Sequence, residues 1–232
     1  MLLARADHRV LLVDRAEFPS DTVSTHAIHP PGVAALSRWG LLGRLEATGC
    51  PPWQKYSYDF GPFTIAGSPR PTDDGISRAL CPRRTVLDKL LLDAAAEAGA
   101  EVREQFAVED LIFEDGAVTG IRGHARNGET VMEAARVVIG ADGRNSLVAK
   151  RVGATAYEER PARAAWYYTY WSGLPTDGAE IYIRPDRGWV AAGTNDGLTL
   201  VGVGWPITEF ETKVLQTEFV SRDSSMPLLV SK

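Results

Sequence analysis

Apolar positions alternate with polar ones in two distinct periods along this chain, and the switches between them outline its elements. Met1–Ala6 has the character of a helix tail. Arg9-Val-Leu-Leu-Val-Asp14 is a short continuous apolar run ending in a carboxylate, the pattern of a parallel strand buried on both faces. Residues 15–28 show no period. A helix is expected from Pro30-Pro31, since proline is tolerated in a first helical turn, carrying Val33, Leu36 and Trp39 inward and stopping at Gly40. A second short helix follows over Leu41–Ala47, and strands are expected at Ser57–Ile65 and Ile76–Leu80. Leu87, Leu90, Leu91 and Ala94-Ala95 recur at helical spacing, so Arg84–Ala98 is the clearest helix, ended by Gly99.

After a short strand at Glu101–Glu104, three alternating runs follow: Val108–Phe113, Val118–Gly123 and Thr130–Ala134. Asp115-Gly116 and Asn127-Gly128 separate them, and such dipeptides are strong hairpin signals, so this segment reads as an antiparallel meander. Arg136-Val-Val-Ile-Gly140 is expected to be a second buried strand, turning through Ala141-Asp-Gly-Arg into a helix over Asn145–Val152. Beyond a boundary near 153–160, Ala164–Trp171, Glu180–Arg184, Trp189–Ala192 and Leu198–Trp205 read as strands of a mixed or antiparallel sheet. Residues 214–232 show no clear period and are left unassigned.

Composition narrows the possibilities. The 232 residues carry a net charge of −5 and a pI near 5.5, which argues against nucleic acid as a partner. No apolar stretch is long enough to span a bilayer, and Met1-Leu-Leu-Ala-Arg turns polar too soon for a signal peptide. Cys50 and Cys81 share no motif spacing, so neither a zinc site nor a redox pair is supported, and a cytoplasmic protein with free thiols is expected. His26 and His29 lie three apart but are followed by prolines and lack further ligands, so no metal is expected. No Gly-x-Ser-x-Gly elbow supports hydrolase chemistry.

Three features carry candidate chemistry. Asp14 closes its strand where, in a dinucleotide-binding unit, an acidic residue accepts hydrogen bonds from a ribose; a surface aspartate is the plainer alternative. Arg83-Arg84 opens the strong helix, where the helix dipole disfavours cations, so a phosphate or carboxylate partner is one explanation and solvent exposure the other. Gly140-Ala-Asp142-Gly143-Arg-Asn-Ser146 joins a strand to a helix whose N–H groups are expected to be free for a ligand, although Asp142 could equally be a helix cap.

Taken in order, the acidic strand end, Arg84-Thr-Val-Leu-Asp88, the meander and Gly140-Ala-Asp-Gly-Arg-Asn-Ser146 resemble the FAD-dependent monooxygenases and geranylgeranyl-reductase-like flavoproteins over about residues 1–213. The resemblance implies an α/β fold: a Rossmann-like FAD-binding domain with a β-meander crossover over 1–156, to which 51–82 is an excursion into the substrate domain, then part of a mixed substrate-domain sheet over 157–213. It implies that Asp14 holds the adenosine ribose with Arg15 beside it. Arg84 reaches the pyrophosphate or ribityl side, Ala107 and Val108 border the adenine, and Asp142 and Gly143 line the cofactor groove. Residues 20–29 occupy the place where family members approach the flavin ring. FAD is the implied cofactor, NADPH or NADH the co-substrate, and hydroxylation or reduction of a small organic or apolar molecule the activity. The aromatic run Trp166–Trp171, with Tyr182 and Trp189, either packs a sheet core, the favoured reading, or walls a substrate pocket.

The family's Gly-rich phosphate loop is absent from these residues and would precede Met1; its second FAD motif would follow Lys232. Met1 is therefore read as an internal methionine of the crossover helix in a longer frame. Two alternatives stay open: an inactive fragment that does not retain FAD, and a nucleotide-binding module without redox activity.

Overall fold

In a computed structural model, which describes residues 1–209, the chain forms two compact units that interleave along the sequence. One comprises Met1–Ser20 and Leu91–Arg160, the other Asp21–Leu90 and the chain from Pro161. The residues left unassigned in the sequence, 214–232, lie outside the described part.

In the first unit, the helix Leu2–Arg5 leads into the strand Leu11–Val13, which pairs in parallel with Glu101–Arg103. Backbone bonds carry the pairing past both strand ends: Asp14 N–H donates to Arg103 O (3.1 Å) and Phe106 N–H to Asp14 O (2.9 Å). Phe106 is fully buried and anchors the start of the meander. There Ala107–Glu114, Ala117–His124 and Thr130–Ala134 pair antiparallel in sequence order. Asp115 (φ 50°) and Gly116 (φ 79°) supply the left-handed pair that a two-residue hairpin turn requires. Gly123 is demanded by packing, because a Cβ there would lie 2.4 Å from Ala107 O.

The expected strand at 136–140 does not form. No strand pairs with it among the described residues, and Val137 and Ile139 are 73% and 67% exposed. An extended apolar segment becomes a strand only when a neighbour satisfies its N–H and C=O groups, and this one has none. The helix after it spans only Leu147–Arg151.

The second unit is built on a six-stranded sheet in the order Ala164–Trp171, Thr199–Pro206, Arg187–Gly193, Ala179–Arg184, Tyr56–Asp59, Thr64–Gly67. All neighbours are antiparallel except Ala179–Arg184 with Tyr56–Asp59, which run parallel. The run read as one strand, 57–65, is in fact a hairpin, because Gly61 (φ 94°) and the Pro62 turn reverse the chain. The run read over 76–80 shortens to Ala79–Leu80.

The register sorts the sheet residues by face. Tyr170, Leu200, Ala192, Ala179 and Tyr56 fall in one row; Tyr168, Gly202, Val190, Ile181, Tyr58 and Ile65 form the next row on the same face. Trp53, Ala79 and Cys81 pack against the first row and make the unit's core. The helices Pro30–Arg38 and Leu42–Glu46 bury Val33, Leu36, Leu42 and Leu45, whereas Trp39, expected inward, is only half-buried. Among the aromatics, Tyr168 and Tyr170 pack on the core while Trp166 and Trp171 are 53% and 55% exposed, so part of the run packs the sheet core.

The helix Arg84–Glu97 crosses the dividing line of the two units and buries Leu90, Leu92, Ala94 and Ala95. Cys50 and Cys81 are free and buried. Burial pushes the Cys50 thiol up to about 11, so it is not a reactive thiolate. Among the described residues no helix is long and apolar enough to cross a membrane, and no group of three or more His, Cys, Asp and Glu is placed to hold a metal.

Candidate functional site

Asp14 owes its position to the parallel ladder, whose backbone bonds hold it at the strand's C-terminal end. Its Oδ1 accepts the Ala16 N–H (2.8 Å), which shapes the turn, and no bond to Oδ2 is made among the described residues. Open α/β sheets bind ligands beyond the carboxyl ends of their strands. A cavity of about 390 Å³ opens there, lined by Glu17, Phe18, Val102, Glu104, Gln105 and Arg126. Glu104 accepts the Phe18 N–H (2.5 Å) and Glu17 accepts from the Gln105 side chain, so the wall is braced. The wall thus holds two carboxylates, which accept from hydroxyl and amine donors, and one guanidinium, Arg126.

The other expected residues of this unit stand as follows. Arg15 is exposed. Val108 pairs with Gly123 at the start of the meander and is half-buried. Neither it nor Asp14 lies in the cavity wall itself. At the Gly-Ala-Asp-Gly turn, Asp142 Oδ1 accepts the Ser146 hydroxyl (2.5 Å), and Oδ2 accepts the Leu147 and Val148 N–H groups (2.6 and 3.2 Å). Ser146 Oγ in turn accepts the Ala149 N–H (3.0 Å). The helix start expected to be free for a ligand is thus closed by its own side chains, and Asp142 acts as a cap. The Ser146 hydroxyl and these N–H donors hold the Asp142 carboxyl below the usual carboxylate range. Gly143 (φ 82°) leaves backbone, with no side chain, on the outside of the turn.

In the second unit, Arg84 is clamped by Asp88 one turn along its own helix, through Nε to Oδ1 and Nη2 to Oδ2, both at 2.7 Å. Its hydrogen bond to Asp88 also raises its already high pKa. A phosphate would have to displace an intrahelical partner to reach it.

Arg83 sits in a richer setting. Its guanidinium lies 4.8 Å from the centroid of the Tyr170 ring and 3.8 Å from Asp21 Oδ2, and its N–H donates to Asn195 Oδ1 (3.0 Å). Tyr170 in turn meets His26, a 4%-exposed histidine in the left-handed region (φ 59°). His26 Nδ1 is 2.7 Å from the Ser24 carbonyl, so it carries the hydrogen, and Nε2 accepts the Tyr170 hydroxyl at 2.6 Å. Burial lowers the His26 pKa and raises that of Tyr170, so both are neutral near pH 7.

This group of His26, Arg83 and Tyr170 was not singled out by sequence reasoning. His26 figured only within the loop 20–29 and in a rejected metal pair, and its partner lies 144 residues away, where no local pattern reaches.

The profile of the FAD binding domain family matches residues 1–195. Digeranylgeranylglycerophospholipid reductase 2 of Methanothermobacter thermautotrophicus is 38% identical over 82 residues, 35% of this chain and 21% of that protein. Menaquinone reductase of Mycolicibacterium smegmatis is 28% identical over 207 residues, 87% of this chain and 46% of that protein. Among solved structures, the myxobacterial chondrochloren halogenase, an FAD-dependent halogenase, superposes with a TM-score of 0.76 at 25% identity, covering 93% of this chain and 51% of that one. The chain therefore spans less than half the length of these two curated relatives and about half of that structure.

Proposed function

This chain belongs to the FAD binding domain family, and on that premise we propose that it forms the greater part of an FAD-dependent oxidoreductase that takes hydride from NADPH or NADH and hydroxylates or reduces a small apolar molecule. The family match carries the reading, because it spans every motif from Asp14 to the turn at Asp142. The first unit then carries the cofactor and the second the substrate sheet. The free, buried cysteines suit a reducing cytoplasm.

The residues present fit one end of the cofactor. Asp14 Oδ2 is available to a ribose hydroxyl, the carboxylates of the cavity beyond the strand ends accept an adenine amine, and Arg15 and Val108, next in sequence to Asp14 and Ala107, are the further candidates. Arg84 is the candidate for the pyrophosphate, on exchanging Asp88 for it. Bound FAD would supply the redox chemistry, while the chain's own groups position and orient. His26 and Tyr170 form a neutral, hydrogen-bonded pair beside the second unit's sheet.

One observation favours a second reading, a chain that folds but does not retain FAD. Among the described residues, 136–140 have no strand neighbour, and the parallel pair of this unit has two strands. Gel filtration of the purified chain after incubation with FAD decides between them. Flavin absorbance co-eluting with the protein upholds the first reading for these residues; a folded, colourless protein upholds the second. If the chain stays colourless even when extended upstream to include a Gly-rich strand–turn–helix, the cofactor reading fails.

A further inference from the structure

The second unit contains a cavity that the cofactor reading does not use. About 410 Å³ in volume, it opens where Tyr56–Asp59 pairs with Thr64–Gly67 at the end of the six-stranded sheet. It is an open groove, with a volume at the lower end of the range for small-molecule sites. Tyr56, Tyr58 and Ile65, on one face by register, form an apolar wall, and Pro30 and Pro69 flank it. No formally charged side chain lines it. Tyr58 and Ile65 remain 39% and 58% exposed, an apolar surface that an uncharged ring would cover.

One polar device stands in this wall. His29 Nδ1 lies 3.0 Å from the Tyr56 hydroxyl, with the two rings stacked at 6.0 Å and 21°. Burial raises the Tyr56 pKa, so the phenol keeps its hydrogen and can donate it. A phenol O–H is a better donor than an imidazole N–H, and with Nδ1 accepting it the ring hydrogen stands on Nε2, the arrangement on which the proposal rests. A carbonyl oxygen satisfies that donor; a carboxylate would enter a site with no cation to neutralise it.

We propose that this cavity binds the ring of a flat, uncharged ligand that presents a carbonyl oxygen to His29 Nε2–H. The proposal rests on the oxidoreductase reading in naming this ligand as the substrate class, an aryl carbonyl compound. The cavity is complete within residues 29–69, so the binding itself needs no flavin.

Isothermal titration of the full chain with three probes tests it: 2-acetylnaphthalene, 2-ethylnaphthalene, which lacks the oxygen, and 2-naphthoate, which adds charge. 2-Acetylnaphthalene is expected to bind once per chain, about tenfold more tightly than either of the others. His29→Phe keeps a ring but removes the donor. It is expected to bring the acetyl compound to within about twofold of the ethyl compound and leave the ethyl compound unchanged. The helix start survives this change, because His29 makes no side-chain cap bond. Ile65→Glu, on an exposed strand, is expected to weaken both neutral probes about tenfold or more.

Absence of saturable binding, naphthoate binding as tightly as the ketone, an equal loss of both neutral probes in His29→Phe, or indifference to Ile65→Glu would each overturn the proposal. Flavin retention recorded on the same samples separates the two failures. A chain that discriminates the probes while its upstream-extended form stays colourless keeps the cavity and loses the cofactor reading; a flavin-retaining chain that does not discriminate does the reverse.

Discussion

Single carboxylates do different work in this chain according to what donates to them. Asp14 spends one oxygen on the Ala16 N–H and keeps the other, so Asp14→Asn is expected to weaken FAD about tenfold while leaving the fold intact, measured by quenching of flavin fluorescence in a flavin-retaining form. Asp142 spends both oxygens on the start of its helix. Asp142→Ala is expected to cost about 1 kcal/mol of stability in denaturant unfolding. Because folding lowers its pKa, its contribution is present above the unfolded carboxylate value and is lost as pH falls below it, so wild type and variant should converge in strong acid. His26 also has a lowered pKa, as a base held neutral by burial. The unfolded chain binds its proton first as pH falls, so stability should decline as pH falls through the ordinary histidine value of about 6.5, and His26→Asn should flatten that slope in thermal melts. Asp14 and Asp142 were legible because each terminates or opens an element at a motif position. Arg83 stood out as a cation at a helix start, but the setting it shares with His26 did not, since Tyr170 makes it from a remote strand.

At the scale of elements, local signals translated directly. The meander follows from Asp115-Gly116 and Asn127-Gly128, and the long helix from its leucine spacing and Gly99. What failed depended on partners. Residues 136–140 have the composition of a buried strand but no neighbour, so Val137→Lys with Ile139→Lys should leave the stability of this chain within about 0.5 kcal/mol. The same pair should destabilise an upstream-extended, flavin-retaining form by about 2 kcal/mol or more. The parallel pairing of Ala179–Arg184 with Tyr56–Asp59 had no signature either, because it joins segments far apart in sequence. Gly178 shows how tight that junction is: it has φ 96°, and a Cβ there would stand 2.2 Å from Lys55 O. Gly178→Ala is expected to cost about 2 kcal/mol or more, read from the urea midpoint.

For the whole molecule, the interleaving of two units explains why a linear reading of domains is difficult: the chain leaves the first unit at Ser20 and returns at Leu91. The family was visible because its motifs keep their order through that interleaving, and the profile match over residues 1–195 spans both units. The central claim is that the first unit recognises the adenosine end of FAD by Asp14 and the acidic cavity beyond the strands. It is tested most directly by competition titrations of FAD, ADP and FMN against the chain or its upstream-extended form. The account predicts that ADP competes with FAD for one site and that FMN, which has no adenosine, binds at least about a hundredfold more weakly. FMN binding as tightly as FAD, or ADP failing to compete, would contradict it.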